Sequence, residues 1–267
     1  MSARRLAFFL GKGGVGKTTL AAAAAACLAR RGRRVLVASL DPAHNLGDVL
    51  GRPLSNAPAP VAARLDGLEV DVAAWAARYL EESRAEIKAS YAYTMSLNLD
   101  SLFDVLRHAP GTEEYAVLWA IEHIQREHGA AYDHILLDTP PTALALRFLA
   151  MPSLSLIWVQ ALARLREQIL IRRQTVLKVN PEASVIRGAT DPREDRVRGK
   201  LSAIQQRLQR LQGLFARESH LALVLNPDAL SLAEALRIQA ELARLGLRVH
   251  GLCLNKAGAE APPPALA

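Results

Sequence analysis

The chain has 267 residues, of which 51% are hydrophobic and 22% charged, enough for a full core in one large globular domain. No apolar run approaches the roughly 18 to 20 residues that span a bilayer, and no secretory signal is recognised, so we expect a cytoplasmic protein without a transmembrane segment. Two cysteines, Cys27 and Cys253, exclude a disulfide framework and predict no structural zinc site.

The net charge of +7 is concentrated in one part of the chain. Residues 160–220 contain 13 Lys or Arg against 6 Asp or Glu, whereas the rest of the chain has 20 of each. This asymmetry argues against a nucleic-acid partner for the whole domain. Solvated faces of amphipathic helices are the simpler explanation, and an acidic partner or a membrane surface is the alternative.

Apolar runs that alternate with helical patterns predict an α/β fold. An apolar run ends at Gly11, a helix-forming stretch covers 18–31, and a second apolar run covers 33–41, as in a βαβ unit. Further buried strands are predicted at 68–72, 134–138, 221–226 and 249–255. The helical patterns between them predict a mostly parallel sheet with helices on both faces.

Two long helical stretches, at 73–129 and 151–219, interrupt this alternation. We predict that they form a helical lobe inserted into a single domain, residues 1–267. A polar loop at 179–200 and a disordered tail at 257–267 are predicted, because both contain proline and little apolar pattern. The second stretch carries an apolar stripe of Leu201, Ile204, Leu208, Leu211 and Phe215.

The segment GKGGVGKT, Gly11 to Thr18, has the spacing of a phosphate-binding loop and lies between a predicted strand and a predicted helix. Its glycines let backbone N–H groups face phosphate oxygens, and the helix start adds a positive dipole end. Lys17 is predicted to reach the β- and γ-phosphates of ATP, and Thr18 to ligate Mg²⁺. The predicted nucleotide-binding residues here are Gly11, Gly13, Gly14, Val15, Gly16, Lys17, Thr18 and Thr19.

A second lysine in the loop, Lys12, is not required by this chemistry. Its ammonium group can stabilise the same triphosphate or serve a nucleotide held by a neighbour, and spacing alone leaves both open. The segment KGGVGKTT resembles the deviant phosphate loop of the MinD/ParA and arsenical-pump class of ATPases. The resemblance implies that Lys12 reaches across a dimer interface to the partner's ATP, so Lys12 and Lys17 are both catalytic candidates.

Two switch-like segments narrow the resemblance to the arsenical pump-driving and guided-entry ATPases. In LDPAHNLGDVLG, Asp41 follows a predicted strand, where it orients an attacking water or, alternatively, only caps a turn. The segment resembles the family's first switch, which implies that Asp41 positions the water and that His44 is a switch residue. DTPPTALALRFL resembles the second switch, which implies that Asp138 binds Mg²⁺ through water and that Asp138, Thr139 and Pro141 are switch residues.

The match has one departure and two weaker extensions. Ala143 and Leu144 stand where the family carries Gly-His, which puts the transmission of the nucleotide state in doubt. The segment ending in LCLNK resembles the family's final strand and implies that Asn255 binds adenine. APGTEEY, from Ala109, resembles the family's acidic helix start or is an ordinary helix N-terminus. Since the chain ends soon afterwards, its adenine pocket is either more open or completed by Pro262–Pro264 or by a partner.

The resemblance implies a nucleotide-gated, Mg²⁺-dependent ATPase that acts as a homodimer or as a heterodimer with a related ATPase. The guided-entry members imply a hydrophobic protein client at the helical lobe, and a core or dimer contact is the commoner alternative for an apolar stripe there. A metalloid site is not expected, because Cys27 and Cys253 lie in predicted core elements. The alternatives are a nucleotide-dependent scaffold that hydrolyses little, and a MinD/ParA-type positioning ATPase with a membrane-binding tail helix or a DNA-binding face.

Overall fold

The computed structural model describes residues 6–43, 45–90, 109, 111–179 and 195–257. The described strands are β1 (Leu6–Leu10), β2 (Val35–Ser39), β3 (Ala59–Ala62), β4 (Leu65–Glu69), β5 (His134–Asp138), β6 (Ser219–Leu225) and β7 (Val249–Leu254). They form one sheet in the order β3-β4-β2-β5-β1-β6-β7. All neighbouring pairs are parallel except β3 and β4, which are antiparallel. The predicted α/β fold with a mostly parallel sheet is confirmed.

Helices connect most of these strands. They are α1 (Lys17–Arg30), α2 (Leu46–Leu50), α3 (Val72–Ser90), α4 (Thr112–His123), α5 (Thr142–Val179), α6 (Arg196–Gly213) and α7 (Ala229–Arg244). Short π-helical turns follow α4 and α6, at Ile124–His128 and Leu214–Glu218.

Alanines pack α1 against the sheet. Ala21, Ala22, Ala25 and Ala29 recur at helical spacing and are buried in one cluster with side chains of β1, β2, β5 and β6. Alanine combines the highest helix propensity with a side chain short enough for close packing on strands. The helix that follows the phosphate loop is therefore fixed against the centre of the sheet.

Two boundaries differ from the prediction. The strand predicted at 68–72 is β4, which begins three residues earlier and pairs with β3, an edge strand that the sequence pattern did not indicate. With four residues and a proline, β3 carries too little periodic signal. The loop predicted at 179–200 is wrong at its end, because α6 begins at Arg196; residues 180–194 and the tail from 258 lie outside the described residues.

The chain divides into two compact units. The first comprises Met1–Leu149 and Phe215–Ala267 and contains the sheet; the second is Ala150–Leu214. In the second unit, Leu156 and Val159 of α5 form a small core with Leu201 and Leu208 of α6. Leu208 and Leu211 of the predicted stripe are buried, whereas Ile204 is exposed. The predicted single lobe at 73–129 and 151–219 stays a prediction.

The helix α5 also meets a length test for membrane spans. Among the described residues, Thr142–Val176 is the one segment long and apolar enough to cross a bilayer by length and composition. In the structure, 39% of its most apolar 18-residue stretch is buried. Core helices of water-soluble proteins meet the same test, so this is weak evidence for a membrane span.

An ion pair links the two helices of the second unit. Asp195 caps α6, because its Oδ1 accepts the Arg198 backbone N–H at 2.7 Å. Its carboxylate is also held by Arg166 of α5, with Nη2–Oδ2 at 2.6 Å and Nε–Oδ1 at 3.1 Å. The Asp195 side chain is 3% exposed. The Arg166 guanidinium holds the pKa of Asp195 below its ordinary value, against the opposing effect of burial.

We predict that Asp195→Ala destabilises this unit by about 2 kcal/mol or more at pH 7, since it removes a helix cap and leaves Arg166 without its carboxylate. Because the folded pKa is depressed, the stabilisation is complete above the unfolded value of about 3.9 and is lost as pH falls through the folded value. Hydrogen exchange of the α6 amides at pH 7 and at pH 3 measures this. Asp195→Asn, which keeps the cap, should lose protection to a smaller extent; equal protection in all three proteins contradicts the prediction.

Candidate functional site

The carboxyl ends of three neighbouring strands meet in the middle of the sheet. Asp138, the last residue of β5, pairs in register with Phe9 of β1 and with Ser39 of β2. Beyond these ends lie the phosphate loop, after β1, and Asp41, after β2. Ligands of open α/β sheets bind at such an edge. The parallel register thus brings the separately predicted loop and carboxylates together.

Lys17 begins α1 and is buried within the loop. Its Nζ donates to the backbone oxygen of Lys12 at 3.3 Å. Burial lowers the pKa of Lys17, while the nearby carboxylates of Asp138 and Asp41 act to raise it. The loop therefore positions a cation close to two acids. The Lys12 side chain, in contrast, is exposed.

Two glycines of the loop are required by close approaches of other strands. A Cβ on Gly11 would lie 2.3 Å from the backbone oxygen of Val224 in β6. Gly16 has a φ of 91°, and a Cβ there would lie 2.2 Å from Nδ2 of Asn255. Any larger residue would push the loop away from β6 or from the end of β7.

Asp138 is the buried polar centre of the site, with 1% of its surface exposed. Its Oδ2 accepts hydrogen bonds from the hydroxyls of Thr18 at 2.7 Å and Ser39 at 3.3 Å. Burial raises the pKa of Asp138 to about 6, against the lowering effects of the Thr18 hydrogen bond and of Lys17. Its Oδ1 is buried and has no hydrogen-bond partner among the described residues.

The donor set at Asp138 fits a hard divalent cation. Mg²⁺ binds oxygen ligands and keeps several of its waters. The Thr18 hydroxyl and the Asp138 carboxylate, with its unsatisfied Oδ1, supply such oxygens at the start of α1. The geometry therefore accommodates the predicted metal ligands Thr18 and Asp138.

The predicted second switch contains a residue that is hydrogen-bonded to β1. The Thr139 hydroxyl, fully buried, donates to the backbone oxygen of Phe9 at 2.7 Å. Pro141 precedes the first turn of α5, whose Leu144 and Ala145 N–H groups donate to its carbonyl. The segment that follows Asp138 is thus tied both to the strand that leads into the phosphate loop and to α5.

Asp41 makes the contacts of a turn residue, and its role in positioning water stays a prediction. Its Oδ1 accepts the Ala43 N–H at 3.0 Å, a turn interaction, and its own N–H donates to the Ser39 hydroxyl at 3.2 Å. The charge of the same carboxylate acts to raise the pKa values of Lys17 and Asp138. His44, the predicted switch residue, lies outside the described residues.

Two contacts join the end of β7 to the phosphate loop. Nδ2 of Asn255 donates to the backbone oxygen of Val15 at 2.8 Å, and Nζ of Lys256 donates to that of Gly14 at 3.0 Å. The predicted adenine-binding role of Asn255 stays a prediction. Lys256 was not recognised from the sequence, although its position directly after Asn255 at a strand end was the available signal.

An ion pair near the second switch was also missed. Glu114 of α4 is buried and pairs with Nε of Arg147 in α5 at 3.2 Å. Arg147 also donates to the backbone oxygen of Ala143 at 3.3 Å. From its sequence, the segment with Glu114 was expected to be an acidic helix start, either that of the family or an ordinary one. The turn of α5 that lacks Gly-His is therefore anchored to α4 by charge.

The two cysteines differ in burial: Cys253 packs against the core as predicted, whereas Cys27 does not. Cys27 is exposed on α1, and its assignment to the core is wrong, because the buried stripe of α1 is formed by Ala21, Ala22, Ala25 and Ala29. Cys253 is half-buried in β7, and burial raises the pKa of its thiol. Within the described parts of the chain, no cluster of three or more His, Cys, Asp or Glu side chains could hold a metal.

Comparisons with known proteins identify relatives along most of the chain. The family described as anion-transporting ATPase matches residues 4–263. A protein of Aquifex aeolicus (strain VF5), provisionally named arsenical pump-driving ATPase 2, is 30% identical over 97% of this chain and 82% of its own length. Protein Rv2184c of Mycobacterium tuberculosis is 32% identical over 94% of this chain.

The relatives differ in how much of their length the chain covers. It spans 59% of Protein Rv2184c and 30% of ATPase ARSA1 from Chlamydomonas reinhardtii, which is 30% identical over 79% of this chain. The matched part includes the phosphate loop and both switch segments. On these matches and this geometry, the chain belongs to the anion-transporting ATPase family and is an ATPase.

Proposed function

We propose that the chain binds ATP with Mg²⁺ at the carboxyl edge of β1, β2 and β5 and hydrolyses it to ADP and phosphate in the cytoplasm. The observation that carries this proposal is the hydrogen bond of Thr18 to buried Asp138, beside a loop that already holds Lys17. Family membership supports the reaction class.

Each residue of the edge has a definable task. The backbone N–H groups of the loop and the Lys17 ammonium bind the β- and γ-phosphates. Thr18 and, through water, Asp138 would hold Mg²⁺, which supplies charge neutralisation of the phosphates when bound. Asp41 orients the water that attacks the γ-phosphorus atom, while ADP leaves on the opposite side. Lys17 offsets the charge that develops on the phosphate oxygens.

Asp41→Asn separates the catalytic role of Asp41 from its turn role. Asparagine keeps the oxygen that accepts the Ala43 N–H, so the turn and ATP binding should persist. Loss of the carboxylate should lower turnover about 10²-fold or more. Steady-state ATPase assays and titration with a fluorescent ATP analogue measure the two effects. Asp48→Asn, an exposed acid on α2, is the control; unchanged turnover in Asp41→Asn would leave Asp41 only a turn residue.

We further propose that the active species is a homodimer, or a heterodimer with a related ATPase, in which Lys12 serves the partner's nucleotide. The Lys12 side chain is exposed on the loop, whereas Lys17 is buried in it. The exposure of the Lys12 ammonium next to the proposed phosphate site supports a contact with a second chain. A lysine that acts across the interface also makes turnover rise with protein concentration, because assembly becomes part of catalysis.

Mixing two inactive variants tests this arrangement. Lys12→Ala and Asp41→Asn should each lose turnover when alone. In a mixed dimer, the Lys12→Ala chain keeps Asp41 and receives Lys12 from its partner, so one of the two sites is complete. We expect activity to reappear on mixing and to increase with concentration, whereas Arg31→Ala, an exposed cation on the C-cap of α1, behaves as wild type. No recovery would show that Lys12 serves its own nucleotide.

A nucleotide-dependent scaffold that hydrolyses little is the second candidate. It is favoured by Ala143 and Leu144, which occupy the positions of the family's Gly-His. In this case, turnover stays low at every protein concentration while ATP still promotes assembly. The concentration series of wild-type turnover therefore separates the two candidates.

The exposed face of α5 supports a hydrophobic protein client. Leu154, Trp158, Leu162, Leu165 and Ile169 recur every three or four residues, and these side chains and Ile157 are all exposed, Trp158 to 73%. Residues between them, Leu156 and Val159, face the core of the second unit. An exposed apolar stripe of this length is typical of an interaction surface that accepts an apolar helix.

Trp158 offers a direct probe of that client site. An alanine-leucine helical peptide with glutamate ends should shift the tryptophan emission to the blue, because the indole moves from water into an apolar contact. Trp158→Phe should abolish the shift, and Leu162→Glu should weaken binding about tenfold or more, since it places a charge in the stripe. Leu236→Glu on α7, equally exposed, is the control. Identical binding in all variants contradicts the assignment.

A further inference from the structure

The end of β7 holds the phosphate loop at two successive carbonyl groups. Asn255 is itself fixed to the sheet, because its N–H donates to the Leu225 carbonyl of β6 at 2.8 Å. From this position Nδ2 of Asn255 binds the Val15 oxygen, and Nζ of Lys256 binds the Gly14 oxygen. These contacts bridge about 240 residues of sequence, so a remote strand end determines part of the local geometry of the loop.

Peptide planarity translates these contacts into N–H directions. In a trans peptide the C=O and the following N–H point in opposite directions. Holding the Gly14 oxygen toward Lys256 therefore turns the Val15 N–H away from it, and holding the Val15 oxygen toward Asn255 turns the Gly16 N–H away from Asn255. In the same way, Lys17 holds the Lys12 oxygen and so orients the Gly13 N–H. Phosphate loops bind their anion through N–H groups of this kind.

The backbone of Lys256 supports a positioning role. Its φ is 55°, one of two positive values at non-glycine residues in the described part of the chain. A left-handed lysine is unfavourable for the backbone, and such residues persist where surrounding contacts hold them. Here the contact is the Gly14 oxygen. Gly16 adds a third sign of close fit, because it has no room for a Cβ against Asn255.

We propose that Asn255 and Lys256 form a brace that presets the phosphate loop, and that Lys256 is a positioning residue for the phosphates of the nucleotide. This rests on the proposed ATP site. Lys256 acts through the loop backbone rather than through the base. Loss of its ammonium should therefore lower the affinity for every ligand that the loop N–H groups bind, whether or not the ligand carries adenine.

Lys256→Gly tests the brace without adding backbone strain, since glycine adopts the same φ freely. Affinity for ATP and for inorganic tripolyphosphate is measured by displacement of a fluorescent ATP analogue from the full chain. We expect both to fall by a similar factor, about three- to tenfold, as for loss of one hydrogen bond. KM for ATP should rise by that factor while kcat changes less, and Lys256→Arg should restore part of the affinity.

Two further variants make the outcome specific. Arg64 also has a positive φ, 62°, and donates to a backbone oxygen, that of Gly32, at 3.2 Å. Neither residue belongs to the phosphate loop. Arg64→Gly is therefore a matched control and should bind both ligands as wild type does. Lys256→Met keeps the apolar stem without the ammonium and should behave like Lys256→Gly.

Each of three other outcomes would overturn the proposal that Lys256 positions the loop. If Lys256→Gly weakens ATP but leaves tripolyphosphate unchanged, Lys256 contacts the base. If Lys256→Met binds as wild type, the stem and not the ammonium matters. If neither ligand is affected, Lys256 has no role in binding. Failure of the wild-type protein to bind ATP would instead refute the proposed function itself, a result visible before any variant is made.

Discussion

The hydrogen bond from the Thr18 hydroxyl to the buried Asp138 carboxylate joins the first turn of α1 to the end of β5. Ser39 adds the end of β2 to the same oxygen, so three elements converge on one atom. A carboxyl group at this depth is costly unless its oxygens are satisfied. The sheet supplies two hydroxyls for Oδ2 and leaves Oδ1 for a ligand, which ties the burial of Asp138 to a binding role.

Around this carboxyl group, the phosphate loop is held from several directions. β6 approaches so closely that Gly11 cannot carry a side chain. Asn255 and Lys256, which follow β7 near the other end of the chain, bind two carbonyl groups of the loop. Preset N–H groups need no rearrangement when an anion binds, and this is the main advantage of a preorganised site over water. The same logic explains why the loop lies at the sheet centre, where neighbouring strands exist on both sides.

Features that depend on neighbouring residues could be predicted from the sequence, whereas contacts between residues far apart in the chain could not. The strands β1, β2, β5, β6 and β7, the helix α1 and the phosphate loop follow from local periodicity and spacing, and the structure contains them. Asp138 was found because it ends a strand that is visible locally and because the segment that it begins resembles the family's second switch. The Lys256 contact and the Glu114–Arg147 pair were not, since each joins residues that only the three-dimensional fold brings together. Cys27 was misplaced because a helix made largely of alanine shows no clear buried face.

The departure at Ala143 and Leu144 has a structural counterpart. The Thr139 hydroxyl donates a hydrogen bond to β1. The Arg147 side chain, one helical turn after Ala143, donates to the Ala143 carbonyl and pairs with buried Glu114. Glu114 is buried, whereas the Arg147 side chain is 65% exposed, so loss of Arg147 would leave a buried carboxylate without this cation. The segment after Asp138 is thus fixed at its start by a hydroxyl and at its first helical turns by an ion pair. The segment that follows Asp138 is therefore joined to α4 through the Arg147–Glu114 pair.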